Sequence, residues 1–402
     1  MWTVLGGERV EARGDVVCPT PGHHDDGGAG LRAGHLGENS GVPELVVIAE
    51  QLLAPVPGGT GRYTAELLPA LARTAPPGWT VSSVVARHAD VSAARIEGVE
   101  GPRVLPLPPR ALVALWQLGL RWWPGGDAVH APTPFAPPRA PAGRTLTVTV
   151  HDTVPWTHPE TLTARGVSWH RSMIARAARR SSGLIVPTRA VADELAVLLD
   201  LHVPVRVVPH GVTVPEGSAK LDLPSRYVLA VGTIEPRKGM DVLVDAVAQL
   251  DGTDEVGDVG LVLAGQPGWG GIDPVRLAAD RGLKSVRVLG KVTDAQLATA
   301  MRGANVLAMP SLAEGFGLPL LEAMAIGVPV VHTDVPALVE VSGGAGLVVP
   351  RGDADALARA LKEVLLSPDK AAELSKLGRE RARTFTWRAA AEAVWAAHRR
   401  SS

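Results

Sequence analysis

The feature that most limits the fold is a rhythm. Short β-branched apolar runs recur, each followed by a polar or glycine-bearing turn and then a helical stretch. The rhythm starts at Glu44–Glu50 (ELVVIAE) and continues through Thr80–His88, Ala128–Pro132 (AVHAP), Arg144–Asp152 (RTLTVTVHD), Gly183–Thr188 and Val205–Val212 (VRVVPHGV). Helical patterns intervene at GGTGRYTAELLPALART, GVSWHRSMIARAARRSS and RAVADELAVLLD. Uniformly apolar runs of this length are what strands buried on both faces of a parallel sheet require. Their alternation with helices implies a sheet covered on both sides.

At Thr213–Ser225 (TVPEGSAKLDLPS) the rhythm stops in prolines, glycine and charge, which marks a linker. It restarts at Tyr227–Thr233 and runs through Val259–Gly265, Ser285–Val292, Ala304–Ser311 and VPVVHT. The fold class is therefore α/β. Two Rossmann-like doubly wound domains, residues 44–215 and 216–385, face each other across a cleft. Residues 386–402 form a closing helix expected to pack back on the first domain. Sheets of this kind bind ligands beyond the carboxyl ends of their strands, so the cleft is where chemistry belongs.

Several classes of function are disfavoured at once. Lys plus Arg total 40 against 41 for Asp plus Glu, which gives no basis for nucleic-acid binding. The one cysteine, Cys18, builds neither an intramolecular disulfide framework nor a metal site, and fits a reducing compartment. No run of about 18 uncharged apolar residues is present to span a membrane. Met1–Leu5 leads straight into glycines and charges, unlike a signal peptide, so a cytoplasmic protein is expected. Residues 1–43 are polar and Gly-rich without period and read as disordered or as an over-long start. His23, His24, Asp25 and Asp26 there read as a solvated tail, since nothing fixes a coordination geometry.

Three stretches carry the chemistry. In AEGFGLPLLEAMAIGVPVV (Ala313–Val331), Glu314 lies in a glycine-bearing loop after a strand, and Glu322 lies one turn into the following helix. Gly315 and Gly317 let main chain approach a ligand, and the helix start supplies unpaired N–H groups. Two acids beside such a start suit a polyhydroxylated ligand; two surface acids stabilising a helix terminus is the plainer alternative. In VGTIEPRKGMD, Arg237 and Lys238 sit between strand and helix, as a phosphate site requires, or as a solvated basic turn would. In VPGGTGRYT, Gly58, Gly59 and Gly61 are able to wrap a phosphate, though an ordinary strand–helix turn reads the same way. His151, followed by Asp152 at a strand end, faces the cleft; His130 at the preceding strand end carries less weight. Asp353–Asp355 (DAD) begins a helical segment, so capping explains it better than a metal-binding Asp-x-Asp motif, and no catalytic metal is expected.

Taken in order, GGTGRYT, VTVHD, VPTRAVADEL, VVPHGV, VGTIEPRKG and EGFGLPLLEAMAIGVPVV resemble a retaining glycosyltransferase of family 4 with the GT-B fold, from about Pro43 to the end of the chain. The resemblance implies that Glu314 touches the donor sugar and Glu322 the nucleotide ribose. It makes Arg237 and Lys238 a diphosphate clamp, with Gly59 near the donor phosphate and His151 beside the transferred sugar. Gly315, Phe316, Gly317 and Leu318 would line the donor site, and Val292 would stand near the base. No cofactor is implied; the donor is a nucleotide-diphospho-sugar, with GDP-mannose as first choice because the GTIEPRK-type loop resembles that of a subgroup whose members are often mannosyl- or rhamnosyltransferases of surface polysaccharides. The acceptor would be a glycan or a lipid-linked glycan of the cell envelope. Many family members carry arginine where this chain has Thr233, which shifts the cationic role to Arg237 and Lys238. A sugar-nucleotide epimerase or phosphorylase of similar architecture and a non-catalytic binding module are the rival readings. Finally, Arg110–Gly126 (RALVALWQLGLRWWPGG) and WHRSMIARAARR combine aromatic and basic residues. They read as core packing with a solvated basic face or as a peripheral contact with the inner membrane leaflet.

Overall fold

A computed structural model describes residues 41–399. Cys18, His23, His24, Asp25 and Asp26, and with them the tail reading, lie outside the described residues. The first domain holds strands β1 (Glu44–Ile48), β2 (Thr80–Val85), β3 (Glu100–Val104), β4 (Ala128–Ala131), β5 (Thr145–Thr149), β6 (Gly183–Val186) and β7 (Val205–Val207). The second holds β8 (Tyr227–Val231), β9 (Gly260–Ala264), β10 (Val286–Gly290), β11 (Val306–Met309), β12 (Val330–Thr333) and β13 (Leu347–Val349). The sheet orders are β3-β2-β1-β4-β5-β6-β7 and β10-β9-β8-β11-β12-β13. Neighbouring strands run parallel throughout both sheets.

Each sheet is buried on both faces, and the period of a strand divides its side chains between them. On β1, Val46 and Ile48 join one core while Leu45 and Val47 join the other. On β8, Val228 and Ala230 separate from Tyr227 and Leu229 in the same way. The order of each sheet reverses at its centre, between β1 and β4 and between β8 and β11. These are the switch points at which loops splay apart and leave a crevice.

The helix Trp387–His398 lies on the first domain, with Trp387, Ala391, Val394 and Trp395 in one core with Leu45, Tyr63 and Leu67. Its last residue, His398, hydrogen-bonds Thr145 and Thr147 at 2.8 and 2.9 Å. A buried aromatic side chain contributes about 1.5–3 kcal/mol, so the two tryptophans alone hold this helix firmly.

Some elements depart from the sequence reading and others follow it. The glycines of VPGGTGRYT do not form a loop ahead of the helix; Gly58–Arg73 is helical from its first residue. The aromatic stretch Arg110–Gly126 is helical only as far as Gln117. Trp116 is fully buried and donates to the Trp122 carbonyl at 3.0 Å, and Trp123 donates to Gly126 at 2.9 Å. Arg176 caps the helix end by donating to the carbonyls of Trp116 and Gln117. Core packing thus accounts for the tryptophans and for one of the arginines. His130 is fully buried, bonds Thr147 at 2.9 Å and is absent from the cleft wall. Asp353 is a helix cap, accepting from Ala356 N at 2.8 Å, and Asp355 accepts from Gln249 at 3.0 Å.

Candidate active site

The loops that leave the switch-point strands meet in one cleft of about 780 Å³. Its walls include Gly59, His151, Arg237, Lys238, Val292, Glu314, Gly315, Phe316, Gly317, Leu318 and Glu322, whereas Gly61 and His130 lie outside it. The size is that of a pocket for a small organic ligand.

On the second domain, β8 leads through Gly232 and Thr233 into the short 3-10 turn Pro236–Lys238. Gly239 closes the turn with φ of 62°, and a Cβ there would lie 2.2 Å from the Pro310 carbonyl oxygen. Only glycine permits this approach, which seats the turn against the chain leaving β11. The Arg237 carbonyl accepts from Leu312 N at 2.8 Å, and the Arg237 guanidinium donates to Ala313 O and Glu235 at 2.7 Å each. Lys238 Nζ reaches Glu314 Oε1 at 2.5 Å, Arg237 stands 3.7 Å from Oε2, and Ser311 adds a hydrogen bond at 2.8 Å. Burial pushes the Glu314 carboxyl up, but Lys238, Arg237 and Ser311 more than offset it and hold the group below the usual carboxylate range. The two cations and the acid of the glycine loop are therefore one cluster on the cleft wall.

Gly315 joins the two domains. A Cβ there would sit 1.7 Å from the His151 carbonyl oxygen, and its own carbonyl accepts from Thr188 Oγ1 at 3.1 Å. Gly317, with φ of 94°, is the N-cap of the helix Leu318–Ile326, whose first residues Leu318 and Pro319 line the cleft. Phe316 has its ring buried against His210 and Phe385, which leaves only its main chain to a ligand. Across the cleft, Gly59 lies in van der Waals reach of Leu318, at 3.9 Å from where its Cβ would be. Val292 is half-buried and packs on the second-domain core at the far end of the cleft.

His151 is fixed by a 2.7 Å hydrogen bond from Nε2 to the Pro132 carbonyl, which leaves Nδ1 without a proton in the neutral ring. Burial pulls its pKa below the ordinary histidine value, so the ring is uncharged at neutral pH. Tyr63 packs edge-on to it at 4.9 Å between centroids, and His210 lies 5.3 Å away.

Glu322 is 2% exposed, and burial pushes its carboxyl up to about 7 despite the nearby Arg62 guanidinium. Arg62, from the first domain, stands 3.0 Å from Glu322 and 3.7 Å from Asp294, and donates to the linker carbonyl of Thr213 at 3.3 Å. Arg62 and His210 were not read as site residues, although both lie in quoted motifs and line the cleft. Each carries a signal: a cation directly after a glycine run, and a third strand ending in histidine. Glu235, buried and paired with Arg237, was likewise missed.

A cation cluster, a glycine-lined helix start and two acids in one cleft suit an anionic bridge flanked by hydroxyl groups. Two parallel doubly wound domains holding such a site between them make the GT-B fold. Residues 57–214 match the family model described as Glycosyltransferase Family 4, and residues 225–367 match Glycosyl transferases group 1. The phosphatidyl-myo-inositol mannosyltransferase of Mycobacterium leprae is 31% identical over 84% of this chain and 92% of that one. The O-antigen chain mannosyltransferase B of Escherichia coli is 37% identical over 40% of this chain and 42% of its own length. A D-inositol 3-phosphate glycosyltransferase of Saccharomonospora viridis is 38% identical over 52% and 54%. Among solved structures, a sucrose-phosphate synthase from Thermosynechococcus elongatus superposes with a TM-score of 0.67 over 88% of this chain and 98% of that one, at 23% identity. HepE of Anabaena, solved with UDP and glucose, gives 0.65 over 88% and 98%, at 18% identity. The chain belongs to glycosyltransferase family 4 and is a glycosyltransferase. No helix among the described residues is long and apolar enough to cross a membrane.

Proposed function

We propose that the protein is a retaining hexosyltransferase that moves mannose from GDP-mannose to a glycan or lipid-linked acceptor in cell-envelope synthesis. The observation that carries this reading is the placement of Arg237 and Lys238 on Glu314, within 2.5–3.7 Å, on the wall facing Gly59 and His151. In this reading the donor diphosphate takes the two cations and the first-turn amides of Leu318–Ile326 as partners. Charge grows on the diphosphate as the glycosidic bond breaks, and pre-aimed donors lower that barrier without reorganising. Glu322 accepts from ribose hydroxyls, and Val292 stands beside the base. Glu314, freed from Lys238 by the incoming phosphate, accepts from hydroxyls of the sugar. His151, uncharged and with Nδ1 unprotonated, completes the sugar site from the first domain. The mannosyltransferase names of two relatives support the choice of sugar. The reaction needs no cofactor, and the protein works in the cytoplasm.

Peripheral contact with the inner leaflet accompanies this reading and is supported by a surface ridge. Leu118 and Leu120 are 77% and 55% exposed just past the helix Pro109–Gln117, which has exposed Arg110 in its first turn and is followed by exposed Arg121.

The test is release of nucleotide from a panel of donors, GDP-mannose, UDP-glucose and UDP-GlcNAc among them, with and without a lipid-linked glycan acceptor. Turnover of GDP-mannose only with acceptor, with an α-linked product, is the expected result. Turnover of another donor, or inverted product, overturns the corresponding part of the proposal.

A further inference from the structure

Among the described residues, the one cation paired with Glu322 comes from the other domain. Arg62 Nε approaches Oε1 at 3.0 Å, and no protein group hydrogen-bonds Oε2. The Arg62 side chain is only 24% exposed, and its remaining N–H groups engage Asp294 on the second domain and Thr213 on the linker. One guanidinium therefore touches both domains and the segment between them. We infer that Arg62 is a positioning residue that makes the nucleoside end of the donor site depend on domain closure, by holding the Glu322 carboxylate charged and aimed with Oε2 toward the cleft. The inference rests on the reading of Glu322 as a ribose acceptor.

The surroundings of Glu322 require such a partner. The carboxylate is nearly sealed from water, and the other charged groups that face it, Asp294 at the start of the helix Asp294–Arg302 and Glu66 on the helix Gly58–Arg73, are both acidic. Arg62 is the cation among them. A protonated carboxyl would donate where the ribose site must accept. With the domains apart, Glu322 would lose Arg62 as its counter-charge and as the group that aims it. The closed arrangement thus completes the site, and a nucleotide that binds Oε2 stabilises the arrangement in which Arg62 binds Oε1.

The experiment is calorimetric titration of the full chain with GDP and with UDP from pH 6 to 9, for wild type, Arg62→Gln, Arg62→Lys, Glu322→Gln and the double variant Arg62→Gln/Glu322→Gln. Wild type should lose affinity as pH falls through about 7, where Glu322 takes up a proton. Loss of a cation at this distance raises a carboxyl pKa by about 1–3 units. Arg62→Gln should therefore move the fall in affinity to higher pH, with a deficit of about fivefold or more at pH 7 that shrinks as pH rises. Arg62→Lys should restore most of the wild-type profile. In the Glu322→Gln background the Arg62 change should move nothing further. A wild-type profile for Arg62→Gln, or a loss equal at every pH, overturns the inference while leaving the ribose reading intact. If Glu322→Gln binds both nucleotides as wild type does, the ribose reading fails, and the inference with it.

Discussion

Glu322→Gln should make the folded protein more stable while it removes donor binding, and the size of the gain follows from the geometry. The side chain is 3% exposed, and burial moves its carboxyl from 4.5 to about 7 in the folded protein, even with Arg62 at 3.0 Å. Each unit of such a shift is about 1.36 kcal/mol, so the ionised carboxylate costs the native state about 3 kcal/mol. The direction with pH is fixed by the order in which the two states release the proton. Below pH 4.5 the carboxyl is protonated in both states and the cost is absent. Between 4.5 and about 7 the unfolded chain ionises first, so native stability falls as pH rises. Above about 7 both states are ionised and the whole cost is present. Glutamine has the same shape, keeps an acceptor for Arg62 and has nothing to titrate. The assay is urea unfolding of both proteins at pH 5 and pH 8, followed by a probe in the second domain. The variant should match wild type within about 1 kcal/mol at pH 5 and exceed it by about 1–3 kcal/mol at pH 8. Taking the difference between the two proteins cancels all other titrating groups. A difference that does not change with pH, or a variant less stable at pH 8, would refute the reasoning. A stabilising change that abolishes activity is what a site selected for function against stability should give.

Other changes test other parts of the cleft. Lys238→Ala removes the cation 2.5 Å from Glu314 and should lower turnover about 100-fold or more, with circular dichroism unchanged, in a steady-state donor assay. Gly315→Ala drives a methyl into the His151 carbonyl, 1.7 Å from the added carbon, so the domains cannot dock as they do here. Activity should vanish while hydrogen exchange within the two sheets stays near wild type. Glu340 caps a helix of the opposite domain, accepting from Arg189 N at 2.8 Å and Ala190 N at 3.0 Å. Glu340→Ala should weaken closure by about 1–2 kcal/mol, seen as faster exchange at Arg189–Val191 and a larger radius of gyration in X-ray scattering.

How much of this was legible in the sequence depends on where each element draws its stability. The central strands were plain because a strand buried on both faces must be apolar at every position, as Leu45–Ile48 and Val228–Val231 are. The edge strand Glu100–Val104 (EGPRV) was invisible: it is half exposed, carries Pro102 and is held mainly by its pairing with β2, a property of the ladder rather than of the side chains. The helix Pro368–Ala382 escaped notice because its sequence is polar on most sides. It packs through Gly378, where an added Cβ would lie 3.4 Å from Met324, a close approach between helices that no local period reveals. The site divides along the same line. Glu314, Arg237, Lys238, His151 and the glycines each sit at the end of a recognisable strand, so position alone marked them. Arg62 sits just as plainly after its glycines, but its meaning lies in Glu322, a residue of the other domain far off in sequence. From its residues alone Glu322 read equally as a ligand-binding acid or a helix-stabilising one, and only the family resemblance made it the ribose contact. Its burial and its pairing across the cleft belong to the assembled molecule, and those two properties separate a ligand-binding carboxylate from a surface one.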